Sequence, residues 1–240
     1  MGTMRDLPLV CLHKLGGWGR EFDALAALVD GPVIAPDLPG HGARPHGVPP
    51  AVQRVEDSAD ALIHDLPVRF DLVGTSLGGA VAVRIAALLG VRVRSLTLIS
   101  VALTGPSDPA EMAAADARTG PDLYDAADQP LPRSADDMVR LFGVTDAAVQ
   151  ADLGAARQAA GRWIRPSWRG VSLADVLGWL PEVRAPVRLV YGERGGYRQF
   201  EAAGRAVLRD CSVEVIGDCG AFPHQEQPAA VARLLGSDRE

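Results

Sequence analysis

Three observations predict an α/β architecture for this 240-residue chain, a mostly parallel sheet with helices on both faces. Short apolar runs without helical period alternate with segments whose apolar residues recur at helical spacing. Glycine and proline punctuate the links between them, and most links are short. The composition, 48% hydrophobic and 22% charged, is that of a soluble globular protein. A chain this long buries roughly 70% or more of its extended surface.

The elements follow in order. Residues 7–13, LPLVCLH, read as a buried strand, and 15–20, LGGWGR, as a glycine-rich turn. EFDALAALVD (21–30) has helical spacing and stops at Gly31-Pro32. PVIAPDLPGHG (32–42) is a strand running into a loop. Residues 51–66 read as a helix, with Val52, Val55, Ala59, Leu62 and Ile63 on one face. RFDLVGTS is the next strand, LGGAVAVRIAALLG a helix closed by Gly90, and VRSLTLISV (93–101) a strand. The Ala-, Asp- and Pro-rich stretch 104–180 breaks the rhythm and reads as an inserted helical cap within a single domain spanning 1–240. PVRLVYGE (186–193) resumes the sheet, followed by a helix over 200–210, a last strand over 211–217 and a last helix over 228–236.

A net charge of −6 argues against nucleic acid and against an anionic membrane surface as partners. Cys11, Cys211 and Cys219 are too few and too scattered for a disulfide framework or a metal site. With no signal-peptide pattern at the N-terminus and no apolar stretch long enough to span a bilayer, a cytoplasmic protein acting on a small molecule is expected. No cofactor or metal is expected. Lys14 is the only lysine among 24 Lys and Arg residues.

Residues 74–78, Gly-Thr-Ser-Leu-Gly, form a G-x-S-x-G pattern at a strand-to-helix junction. With "LHKLGGWG", "APDLPGHG" and "CGAFPHQEQP" in the same chain, the sequence resembles the α/β-hydrolase fold, and its short motifs are similar to small members such as the menaquinone-pathway lyase and its esterase relatives. The resemblance implies that Ser76 is the presented nucleophile and that the Leu15 and Leu77 amides form an oxyanion hole. It also exposes two departures. The slot for the catalytic histidine holds Ala221, and the slot for the acid, after Gly192-Glu193-Arg194, holds Gly195.

Substitutes are limited. His224 lies three residues beyond the histidine slot and would need a shifted loop. His13, His41 and His46 sit in loops, where a hydrogen-bonded structural histidine is the plainer reading, and His64 lies on a helix away from the elbow. Glu193 is near the lost acid, but strand-end residues usually face away. Lys14, beside the expected oxyanion hole, offers an ammonium to a developing oxyanion or, if desolvated, an amine nucleophile; the alternative is a solvated lysine at the loop rim. Trp163 and Trp168, interleaved with Arg162, Arg165 and Arg169, either line an apolar pocket or pack the cap.

The expectation is therefore an enzyme that activates a carbonyl of a small, largely apolar metabolite without hydrolysis (a lyase, isomerase or cyclase), with Ser76, Lys14 and His224 as candidate catalytic residues. The alternatives are a serine esterase or thioesterase with His224 as a rebuilt base, and a ligand-binding protein without turnover.

Overall fold

Six strands form one sheet in the order β2-β1-β3-β4-β5-β6, and every neighbouring pair runs parallel. In the computed structural model, which describes residues 7–44 and 47–237, the strands are β1 (Leu9–Leu12), β2 (Val33–Ile34), β3 (Phe70–Thr75), β4 (Val93–Ile99), β5 (Val187–Gly192) and β6 (Cys211–Ile216). Parallel neighbours need crossover connections, and these place helices on both faces. The strand residues divide accordingly. Val10, Leu12, Leu72, Leu96, Leu98 and Leu189 enter one core, whereas Leu9, Cys11, Val73, Ile99 and Val190 enter the other. This is the two-residue alternation of a pleated strand, here apolar on both sides.

The first core is roofed by α2 (Val55–Ile63), α3 (Leu77–Leu89) and α8 (Val176–Trp179). On the opposite face lie α1 (Asp23–Ala26) and α11 (Pro228–Ser237), which pack against each other. Between β4 and β5 run α4 (Pro109–Leu123), α5 (Ala135–Phe142), α6 (Ala147–Ala160) and α7 (Ile164–Leu173), with α8 at the end. Asp108 and Asp146 cap the N-termini of α4 and α6, and Ser134 with Asp137 forms a capping box on α5. The remaining helices are α9 (Glu201–Val207) and α10 (Pro223–Glu226).

One expected helix is much shorter than its pattern suggested. Residues 19–22 form a 3-10 turn, α1 spans only Asp23–Ala26, and Leu28 is left exposed. Phe22 and Leu25 are buried as the pattern implies, with Val29 packed against the same core, and Glu21 beside them is also turned inward and buried. His46 and residues 1–6 fall outside the described residues. Among the described residues, no helix is long and apolar enough to cross a membrane.

Candidate active site

Every residue from 70 to 83 is buried except Ser76. Its backbone is in a left-handed conformation (φ 49°, ψ −113°) between β3 and α3. For a non-glycine residue this conformation costs on the order of 1–3 kcal/mol and persists only where the surroundings impose it. They do so here through glycine. A Cβ on Gly78 would lie 2.2 Å from the Leu12 carbonyl oxygen, and one on Gly74 would lie 2.5 Å from the Gly78 carbonyl oxygen. The Gly78 amide also donates to the His13 carbonyl at 3.0 Å, tying the turn to the loop after β1.

Ser76 lines a cavity of about 150 Å³ with Lys14 and Leu15 from that loop, and with Arg133, Met138, Phe142, Leu153 and Arg157 from the insertion. Tyr197 and Phe222 complete the wall. Among the described residues, neither the Leu15 nor the Leu77 amide donates to a protein acceptor. Both belong to the elements that flank Ser76, which is the requirement for a pair of donors facing an oxyanion. Tyr197 faces the same cavity as Ser76; burial raises its phenol, and the neighbouring Ser76 hydroxyl and the Arg133 charge oppose that rise only partly.

Lys14 is neither solvated nor a free ammonium. It is buried, and its Nζ lies 2.5 Å from Glu21 Oε2. The Lys14 amide donates to Glu21 Oε1 at 3.2 Å, and His224 Nε2–H donates to the same oxygen at 3.0 Å. Burial alone would raise the Glu21 carboxyl, but the Lys14 charge and the His224 hydrogen bond hold it below the usual carboxylate range. Burial lowers His224, although Glu21 pulls the other way, so the ring is neutral and acts as a donor. Lys14 thus lines the cavity with its charge already matched, which corrects the reading of it as an unpaired cation or amine nucleophile. Glu21 is the residue that sequence reasoning missed. Its position at the start of an expected helix reads as an ordinary first-turn acid.

His224 is also corrected as a substitute base. It does not line the Ser76 cavity; its ring stacks on Phe22 at 4.8 Å, and Nε2 is committed to Glu21. The other described histidines are structural or remote. His13 Nε2 accepts the Leu38 amide at 2.9 Å, so its Nδ1–H donates to the Lys14 carbonyl at 2.8 Å. His41 is buried in the loop after β2, and His64 is exposed at the end of α2. Glu193 accepts from the Asp218 amide at 3.1 Å and faces away from the cavity.

The two divergent positions meet. Ala221 is fully buried among Met138, Val144, Leu153 and Phe222, and its amide donates to the Phe142 carbonyl at 2.7 Å. A Cβ on Gly195 would lie 2.9 Å from Ala221 Cα. The loops after β5 and β6 are therefore in contact at Gly195 and Ala221.

Trp163 and Trp168 do not reach the cavity. The Trp163 ring covers Gly40, where a Cβ would sit 2.0 Å from the indole. The nearby arginines build the insertion instead: Arg165 and Arg169 both grip Asp116 of α4, and Arg165 also pairs with Asp128 at 2.6 Å. Arg133 and Arg157 are the cavity residues that the sequence did not mark. Among the described residues, no group of three or more His, Cys, Asp or Glu side chains is placed to hold a metal.

The family model described as the alpha/beta hydrolase family matches residues 9–234. A pimeloyl-(acyl-carrier protein) methyl ester esterase of Aromatoleum aromaticum is 30% identical across 95% of this chain and 96% of its own length. The protein of the same name from Neisseria meningitidis is 38% identical over 113 residues, 44% of this chain; the match spans less than half of that relative, 43% of its length. A thermophilic esterase from Thermogutta terrifontis superposes with a TM-score of 0.79 at 22% identity, covering 99% of this chain and 90% of its own, a likeness of fold.

Proposed function

The chain belongs to the alpha/beta hydrolase family, and from that premise we propose that it cleaves esters, with Ser76 as nucleophile and the Leu15 and Leu77 amides receiving the carbonyl oxygen. The observation that carries this reading is the strained, cavity-facing Ser76 between two amides left without protein acceptors. The relatives named as methyl ester esterases support a small alkyl ester as the scissile group.

Attack by the Ser76 oxygen on the ester carbonyl forms the acyl-enzyme and releases the alcohol; water then releases the acid. The hydroxyl proton must leave during attack, and we assign it to Tyr197, whose phenol lines the same cavity as Ser76. Its phenol is raised above the ordinary value near 10, so only a small phenolate fraction exists at neutral pH. Turnover is therefore slow at pH 7 and climbs through the alkaline range, without the plateau near neutrality that an imidazole base gives.

Labelling with a serine-directed fluorophosphonate, read by intact mass and peptide mapping, tests this. An adduct on Ser76, together with loss of p-nitrophenyl acetate turnover in Ser76→Ala, is the expected result. No adduct and unchanged turnover in Ser76→Ala would overturn it.

A second reading, a non-hydrolytic lyase, isomerase or cyclase that only polarises a carbonyl, is favoured by one observation: no imidazole lines the cavity. It requires product formation from the true substrate without uptake of water, which labelled-water incorporation distinguishes.

A further inference from the structure

Arg133 and Arg157 both line the Ser76 cavity, and among the described residues neither is in an ion pair; the nearest carboxylate acting on Arg133 is Asp137, which is itself paired with Arg140. Arg157 is only 7% exposed, projects from α6, and has an Nε with no hydrogen-bond partner. Its guanidinium carbon lies 5.9 Å from the Tyr124 ring. Arg133 lies in the segment before α5, 5.1 Å above the Phe142 ring, and its Nε is also unmatched. The two charges sense each other: burial, then repulsion from Arg133, pushes Arg157 down to about 10. Arg157 is buried without an ion-pair partner and faces the repulsion of Arg133, and an uncompensated buried charge destabilises a fold by several kcal/mol. The other insertion arginines show what pairing looks like, with Arg165 and Arg169 sharing Asp116.

We propose that Arg133 and Arg157 form a carboxylate-binding subsite, so that the substrate is an ester carrying a carboxylate at the far end of a short apolar chain. Planar guanidinium groups match a carboxylate by paired hydrogen bonds. Ser76 fixes one end of the substrate, the arginines fix the other, and Met138, Phe142, Leu153 and Phe222 supply the apolar wall between them. A volume of about 150 Å³, the space of about five waters, keeps that chain short. The Leu15–Gly16 turn brings the two ends together, because a Cβ on Gly16 would lie 3.5 Å from Arg157 Cα.

The inference rests on Ser76 as the site of the ester, and its test separates the two. Ser76→Ala, which leaves ligands intact, is titrated calorimetrically with monomethyl glutarate, with dimethyl glutarate as the uncharged counterpart, and with inorganic phosphate. At least tenfold tighter binding of the monomethyl ester than of either other probe is expected, with at least a tenfold loss in Arg133→Met and in Arg157→Met. Thermal unfolding supplies an independent readout. Without ligand, Arg157→Met is as stable as the parent or more so, because an unpaired buried charge is gone; a structural arginine would lower the midpoint. Should Arg157→Met fail to fold, that failure overturns its role as a ligand group, and Arg133→Met still reads the subsite.

Equal affinity for the mono- and dimethyl esters overturns the proposal, as does tighter binding of phosphate. Arginine-dependent binding of the acid with no ester turnover in the parent would leave the subsite standing and remove the esterase reading. Turnover of neutral esters with no preference for the acid would do the reverse.

Discussion

Lys14 carries the clearest lesson at the scale of single residues. Its ammonium, the Glu21 carboxylate and the His224 ring form one buried chain of charge and hydrogen bonds beside the cavity. Removing one charge strands the other in a low dielectric. Lys14→Met should therefore lower unfolding stability by about 3–5 kcal/mol, measured by urea titration. The double variant Lys14→Met/Glu21→Leu should recover most of that loss, since apolar groups of similar volume replace a buried pair at little cost. A Lys14 acting only through its charge on substrate would instead lose rate and keep its stability. Tyr197 gives the second residue-scale expectation. Tyr197→Phe removes the hydroxyl that faces the Ser76 cavity, and the alkaline rise of ester turnover should disappear. The pH–rate profile of the variant, corrected for spontaneous hydrolysis, checks this. A profile unchanged by Tyr197→Phe would exclude the phenol as proton acceptor.

The loops after β5 and β6 act as a unit at the scale of elements. Arg194 donates to the Gly143 and Asp218 carbonyls, Gly220 donates to Glu226, and Ala221 donates to Phe142. These bonds clamp the C-terminal end of α5 over Ala221. Placing an acid and an imidazole at these two positions therefore meets packed contacts. Ala221→His with Gly195→Asp forces atoms into a filled contact, and overpacking of this kind costs about 1–3 kcal/mol or more. The double variant should show a lowered thermal midpoint and less than a tenfold gain in p-nitrophenyl acetate turnover. A large gain with unchanged stability would show that the loops still hold space for an acid and a base.

Two buried neutral histidines set the acid response of the whole molecule. Burial lowers His13 and His224 below the ordinary value near 6.5, against the pull of Glu21. A group lowered in the folded state contributes stability above its unfolded pKa and loses it as pH falls through the folded value. Below about pH 6.5 the unfolded chain binds protons that the folded chain refuses, so stability falls with pH. Glu21 adds a second loss below the usual carboxylate range, because its folded value is also depressed. Urea midpoints should hold near pH 7 and 8 and fall from pH 6.5 to 5. His224→Gln should make that fall shallower, even though it lowers the stability at pH 7.

The sequence by itself determined what local backbone geometry and periodicity encode. The six strands, the glycine-braced turn at Ser76 and the helical stretch after β4 were legible because each is written in neighbouring residues. Only the tertiary structure decided which side chains share a desolvated space. Glu21 became the partner of Lys14 because the short 3-10 turn after β1 buries it beside Phe22. His224 left the catalytic surroundings because Glu21 holds it. Trp163 and Trp168 turned to packing, while Arg133 and Arg157, unremarkable among many arginines, came to face Ser76. Burial and pairing of charge depend on contacts between distant segments, and no local pattern carries that information.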